Sequence, residues 1–367
     1  MTHDWSKCYQ RIESLPPGSG PIEAWLSAAV SDQLWDEFLQ STPCGQFQQS
    51  SMWAEYKAGE GWMHHRVILT DADGIIGGFQ ILWKKTKLIR IGYVSKGPVL
   101  RQEMDAVTDY SVSLLCAASR DLDLSALIVQ PPDESQDLVL ALGHRQFLPN
   151  KIMRIISTTL LINLTGGIES VIQGMNASAR MEIKQAKRRG TIIRDGSTED
   201  INGLFNMMVA TCERQKTNPN PATEDALRTL WERFRPMGAR LMIARCRGVD
   251  VAGQLCIPFG ERVTIWKKGW NGQHRDCHPN RLLNFEGLVW ACEKRFRYWD
   301  FAALDPEIAA NLLSGRPLSE VQKRSRDMFH LGFGGEARLL PASCIWINNS
   351  ILRFGYKAIA QSTTANT

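Results

Sequence analysis

At 367 residues the chain exceeds any single small module and, at roughly 150 residues per domain, fits two. An apolar fraction of 44% supports real cores, and 22% charged residues, with no tract enriched in Ser, Gln or Pro, argue against extended disorder between the ends. The formal charge is +5, the nine cysteines include no CxxC pair, and no apolar run approaches the ~18 residues of a membrane-spanning helix; a disulfide scaffold and a transmembrane bundle are therefore not indicated.

The start, MTHDWSKCYQR, has no apolar stretch to serve as a signal peptide, so a cytoplasmic protein is expected. Residues 1–24 end in LPPGSGP and are expected to be a flexible leader. From Arg66, RVILTDADGIIGGFQILW reads as strand, tight Gly turn and strand. From Ser113, SLLCAASRDLDLSALIVQPPD reads as a helix and a short apolar strand. A helix from Met175 to Arg189 follows, with an apolar stripe of Met175, Ala179, Ile183 and Ala186. Its other face carries Arg180, Lys184, Lys187 and Arg188, a charge concentration suited to nucleic-acid backbone; a solvated basic face is the alternative.

The strand–turn–strand and helix–strand patterns then recur. RLMIARCRGVDVAGQLCI from Arg240 lies on the Arg66 segment, and GLVWACEKRFRYWDFAALDPE from Gly287 lies on the Ser113 segment, both at an offset of 174 that sets Gly74 on Gly248 and Gln80 on Gln254. A hairpin followed by a helix and a strand builds a mixed sheet flanked by helices, so the expected class is α+β with two similar units. The expected boundaries are 25–158 for the first unit, completed by 338–358, then 159–337 for the second and a flexible tail over 359–367. The strand-like stretch Cys344 to Phe354 is expected to return to the first sheet.

Between the repeats, IWKKGW (Ile265 to Trp270) reads as a strand that places Trp266 and Lys268 on one face, where an aromatic and a cation would hold a nucleotide; Trp270 is expected to pack in the core. His274, Cys277 and His278 are nitrogen and sulfur donors in a loop, but a structural zinc needs four ligands and no fourth is apparent nearby. No metal and no cofactor are assigned. P-loop, zincin and serine-hydrolase motifs are absent.

Six segments in order, FQQSSMWAEYK (Phe47 to Lys57), YVSKGPVL (Tyr93 to Leu100), ARMEIKQAKRRGTIIRDG (Ala179 to Gly196), TCERQK (Thr211 to Lys216), PNRLLNFEGLVWACEKRFRYWDFAA (Pro279 to Ala303) and FHLGFGG (Phe329 to Gly335), resemble the FemABX-type aminoacyl-tRNA-dependent peptidyltransferases. That resemblance implies two tandem GNAT (acetyltransferase-like) domains facing across a cleft. It implies transfer of an aminoacyl group from aminoacyl-tRNA to an amine of a peptidoglycan precursor or related envelope acceptor, with peripheral contact to the inner membrane face and no stable protein partner. It also implies acceptor-binding roles for Lys57 and Arg214, which with Trp266 are expected to line the cleft, and tRNA contacts from the basic helix.

Two positions depart from the family pattern. Gln130 stands where a base is expected and, as an amide, cannot take a proton; His330 stands where a lysine is expected. The glycines after His330 are expected to admit a ligand close to the backbone, and the histidine's charge change to shape activity near neutral pH. The alternatives are an N-acyltransferase using acyl-CoA or another donor, although the turn that cradles the acetyl-CoA pyrophosphate is missing, and a binding module without catalysis.

Overall fold

The computed structural model describes residues 4–14, 22–102 and 104–364. From the N-terminus run β1 (Gln10–Ser14), β2 (Glu23–Ser27), α1 (Gln33–Ser41), α2 (Ser51–Ala58), β3 (Met63–Asp71), β4 (Gly74–Lys85), β5 (Arg90–Ser95), β6 (Val99–Leu100), α3 (Asp105–Asp121), β7 (Ala126–Gln130), α4 (Gln136–His144) and β8 (Leu148–Pro149). The second stretch holds β9 (Thr158–Asn163), α5 (Gly167–Gly174), α6 (Ala177–Arg188), β10 (Ile192–Asp195), α7 (Ile201–Gln215), α8 (Glu224–Phe234), β11 (Arg240–Cys246), β12 (Val249–Phe259), β13 (Arg262–Trp270), α9 (Pro279–Glu293), β14 (Tyr298–Asp300), α10 (Pro306–Leu313), α11 (Glu320–Lys323), α12 (Asp327–Leu331) and β15 (Glu336–Leu339). The chain closes with β16 (Cys344–Ile347) and α13 (Ser350–Thr364).

Two compact units result, one of residues 1–155 with 340–367, the other of 156–339. In unit 1 the strand order is β1-β2-β3-β4-β5-β7-β16-β8, with β6 on β4. In unit 2 it is β10-β11-β12-β13-β14-β9-β15. Each sheet is antiparallel except for one pair, β5 with β7 and β13 with β14, which are parallel because a helix, α3 or α9, crosses between them. The interior strand β12 is buried along nearly its whole length since α7 and α9 both pack on it, which is why VDVAGQLCIPF shows little alternation. The core of unit 1 gathers Phe79, Ile81, Val94, Leu115 and Leu127; that of unit 2 gathers Leu160, Ile183, Leu288, Trp299 and Phe333.

The structure corrects several expectations. The leader contains a strand: β1 pairs with β2, Arg11 meets Glu23 at 2.8 Å, and the Tyr9 hydroxyl donates to Asp32 Oδ1 at 2.9 Å. The LPPGSGP stretch itself, 15–21, lies outside the described residues. The tail is helical as far as Thr364, with 365–367 outside the described residues. The strand of the returning segment is only β16, which pairs with β7 and β8; Phe354 belongs to α13.

The repeat is real in element order but one residue out in the hairpin. The closing pairs Asp71↔Gly74 and Cys246↔Val249 are 175 residues apart in the sequence. A one-residue slip exchanges the two faces of a strand. The partner of Arg66↔Gln80 is thus Leu241↔Leu255: a buried polar pair in one unit is a leucine pair in the other.

Candidate functional site

In unit 2, β13 and β14 pair only over Arg262↔Tyr298, Val263↔Trp299 and Thr264↔Asp300. Beyond Thr264, β13 runs on to Trp270 while β14 stops, and a cavity of about 330 Å³ lies among the end of β13, α7, α9, α12 and the segment after β14. Lys268, Gly269 and Trp270 line it from the strand, Thr211 and Arg214 from α7, and Asn280 and Asn284 from α9. Gln215, Phe301, Ala303, Arg326, Asp327, Phe329 and His330 complete it.

Local sequence explains this convergence. A Cβ on Gly269 would lie 2.4 Å from the Met208 nitrogen, so only glycine lets α7 approach β13 this closely. Thr211 Oγ1 then accepts from the Trp270 N–H at 2.9 Å, and Arg214 donates to the Trp270 carbonyl while its guanidinium lies 4.9 Å from the Trp270 ring centroid. On the other wall, Arg281 is buried in α9, donates to Glu182 at 2.7 Å and to the Phe329 carbonyl at 2.8 Å, and lies 4.1 Å from the Phe329 ring centroid. That fixes α12 and presents His330, whose ring stacks on Phe301 at 4.7 Å.

The Lys268 ammonium and His330 Nε2 are 2.5 Å apart. Burial, reinforced by Lys268, Arg326 and Arg281, holds the His330 imidazole well below its usual pKa. It is therefore neutral at pH 7, its Nε2 accepts from Lys268, and Nδ1 carries the proton. Desolvation by the surrounding protein lowers the lysine itself to about 8, Arg326 adding to the effect and Asp327 opposing it. The side chain still meets the solvent of the cavity, which screens part of that effect. Two buried polar atoms on the cavity, His330 Nδ1 and Asn284 Oδ1, have no hydrogen-bond partner among the described residues. Arg214, Lys268 and Arg326 outnumber Asp327, so the site favours an anion beside a group that meets a neutral donor and acceptor.

Arg214, Lys268 and His330 come together here, as three of the anticipated site residues. Trp266 does not line the cavity. It is the extra residue of a β-bulge, since Lys267 faces Leu255 while Ile265 faces Cys256, and the bulge breaks the alternation that was to align it with Lys268. Trp270 takes the cavity position and, half-buried, also packs against the core cluster of Met242, Ala244, Ala252 and Leu283, as expected. The expected charge change of His330 near neutrality is corrected by burial beside three cations. The glycines of FHLGFGG serve the chain's own packing: a Cβ on Gly334 would lie 2.7 Å from the Gly174 carbonyl oxygen, and one on Gly335 2.6 Å from that of Leu161.

The remaining candidates sit elsewhere. Lys57 is in unit 1 on α2, 2.7 Å from Glu60 and over the Trp53 and Tyr56 rings. Gln130 ends β7 in unit 1, buried, its carbonyl accepting from the Gly97 N–H at 3.0 Å. On α6, Arg180 is drawn back to the Met175 carbonyl and Lys187 pairs with Glu286 at 2.9 Å, whereas Lys184 and Arg188 are exposed. Of the loop donors, His278 Nε2 meets Gln185 at 2.9 Å, away from His274 and Cys277. Among the described residues no helix is long and apolar enough to cross a membrane.

Residues 30–141 match the FemAB family model, and residues 175–307 match a model described as an acetyltransferase (GNAT) domain. The chain is 27% identical over 205 residues to a lipid II:glycine glycyltransferase of Staphylococcus saprophyticus, a match covering 50% of this chain and 48% of the relative. It thus spans about half the length of the curated relatives it matches. Among solved structures, a crystal structure of FemX superposes with a TM-score of 0.73 at 15% identity, covering 86% of this chain and 96% of that one. A tandem GNAT protein from the clavulanic acid biosynthesis pathway superposes with a TM-score of 0.51 at 11% identity, covering 89% and 99%.

Proposed function

Since the chain is a FemABX-type protein of tandem GNAT-like fold, we propose that it is an aminoacyltransferase. In this reading it moves an aminoacyl group from aminoacyl-tRNA to an amine of a peptidoglycan precursor, the acceptor class named by its lipid II relatives. The observation that carries the proposal is the contact of Lys268 with a neutral His330 at the point where β13 and β14 part.

The reaction forms a C–N bond from the acceptor amine to the ester carbonyl carbon and breaks the C–O bond to the tRNA ribose. An ester is already activated, so alignment, oxyanion stabilisation and one proton transfer suffice. Lys268 serves both needs in turn: with its pKa near 8 a fraction is free amine that accepts the proton of the attacking amine, and the ammonium so formed stabilises the developing oxyanion and returns the proton to the departing ribose oxygen. His330, held by Phe301, fixes the Nζ position. Arg214 and Arg326 take phosphate or carboxylate groups of the reactants, and Lys57 contributes a further anion contact once it releases Glu60. Lys184 and Arg188 contact tRNA backbone. Gln130 has no part in proton transfer, and no metal or cofactor is used in the chemistry.

A second reading, acyl transfer from acyl-CoA, is favoured by one observation: the cavity wall from Thr211 to Ala303 lies inside the span that matches the GNAT model, 175–307, with Arg326 to His330 beyond it. The protein incubated with charged tRNA or acyl-CoA and a panel of amines, including the lipid-linked precursor, separates the readings by product mass. Product from charged tRNA alone supports the proposal. Product from acyl-CoA alone replaces it, and no product from either leaves a binding module.

A further inference from the structure

The loop between β13 and α9, NGQHRDCH, plays no part in the reading above, and it assembles a set of donor atoms. The ligand atoms of His274, Asp276 and Cys277 lie within 4.8 Å of one another. Behind them Cys246, the last residue of β11, packs on Cys277, and both thiols are fully buried. Two of these donors already converge on a cation. Arg247 donates to Asp276 Oδ2 at 2.8 Å and lies 3.4 Å from His274 Nδ1. A guanidinium has no acceptor, so that Nδ1 presents its lone pair, the form in which imidazole binds metal.

The loop is held in place before any ion arrives. Thr191 Oγ1 donates to the Cys277 carbonyl at 2.8 Å and lies 3.4 Å from Cys246 Sγ, and Arg189 donates to the Asp276 carbonyl. His274 and His278 adopt left-handed backbone conformations, φ 50° and 45°, which fold the short turn so that residues 274, 276 and 277 face one point. Arg247 is largely exposed and free to swing into solvent when a metal takes its place.

We propose that His274, Asp276 and Cys277, with Cys246 drawn in as fourth ligand from its place beside Cys277, bind a borderline-soft divalent cation, Zn²⁺ being the natural fit to one nitrogen, one oxygen and two sulfurs. Binding releases one proton from each thiol, and both sulfurs coordinate as thiolates. The bound ion ties the β11–β12 turn to the loop that carries Gly272 against Arg214, so it stiffens one wall of the cavity without taking part in the chemistry.

The test is titration of the chelator-treated full chain with Co²⁺. A tetrahedral thiolate site gives strong visible bands and a near-ultraviolet sulfur-to-cobalt charge-transfer band, expected to saturate at one equivalent. Cys277→Ser and Cys246→Ser should each remove about half of the charge-transfer intensity, and His274→Ala should weaken binding ~10- to 100-fold. The wild-type titration needs no variant to fold: absence of a charge-transfer band at one equivalent overturns the site. A band unchanged in either serine variant overturns the four-ligand assignment, because it then arises from other cysteines.

Discussion

The two units solve the same structural problem in opposite ways. In unit 1, β4 and β5 separate beyond Leu82↔Tyr93, and the gap is filled by one side chain. Gln49 accepts from the Gln80 N–H at 2.7 Å and donates to the Ser95 carbonyl at 2.8 Å, and a Cβ on Gly97 would lie 2.7 Å from its amide. Nearby, the fully buried Arg66 is held by Gln80, Asp32 and the Ala29 carbonyl, with Asp36 on Ser51. In unit 2 the opening falls between β13 and β14 and remains a cavity, with His330 Nδ1 and Asn284 Oδ1 unpartnered. A satisfied buried network specifies one packing, whereas unmatched polar atoms on a cavity invite a ligand. The comparison teaches that the strand opening of unit 1 is closed by the Gln49 network, whereas that of unit 2 stays open to a ligand, which is where the proposed chemistry is placed.

The sharpest way to break this comparison is Lys268→Ala. Transfer rate at saturating substrates should fall ~100-fold or more, with the unfolding midpoint little changed. A mild effect in single-turnover assays would remove the lysine from the chemistry. Gln49→Leu should do the reverse. It strips partners from the buried Gln80 N–H and Ser95 carbonyl and should cost ~1–3 kcal/mol in urea unfolding, while the rate per folded molecule holds. A rate loss matching that of Lys268→Ala would place chemistry in unit 1 as well.

A pH profile sharpens the assignment within unit 2. Because the lysine acts as free amine, the rate should rise with pH through about 8. Arg326 disfavours the ammonium, so Arg326→Gln should raise the lysine pKa and move the rising limb to higher pH. His330→Lys adds a second cation beside Nζ and should move it to lower pH. A limb that stays put in both variants would assign it to another group. The smallest effect belongs to α6: Lys184→Gln with Arg188→Gln should reduce the log–log salt slope of tRNA binding by about 0.7 per lost contact on single strands, with stability within ±0.5 kcal/mol. An unchanged slope returns that helix to a solvated face.

Much of this was legible in the sequence because it is local. The hairpin, helix and strand order of both units and the basic face of α6 follow from periodicity, while Arg214 in TCERQK and His330 in FHLGFGG come with the family resemblance. Trp270 was within reach as well: it stands two residues beyond Lys268 on one strand, on the same side by simple alternation. What escaped depends on packing. The bulge at Trp266 has no composition signal, and the placement of Asn284, Arg326 and Asp327 on one cavity depends on Gly269 admitting α7 and on Arg281 anchoring α12. Cys246 joins Cys277 only because β11 ends beside the loop before α9.

The strand beside β14 comes from the beginning of unit 2, β9, but its counterpart beside β7 is β16, so Cys344 pairs with Val129 across 215 residues. During synthesis unit 2 has every strand of its sheet once Leu339 emerges, whereas β7 waits with an open edge until β16 follows all of unit 2. The first unit encoded is thus the last to be completed, and its closing contact carries the larger loop-closure cost. Emergence of β16, rather than of β7 itself, sets when that sheet loses its sticky edge.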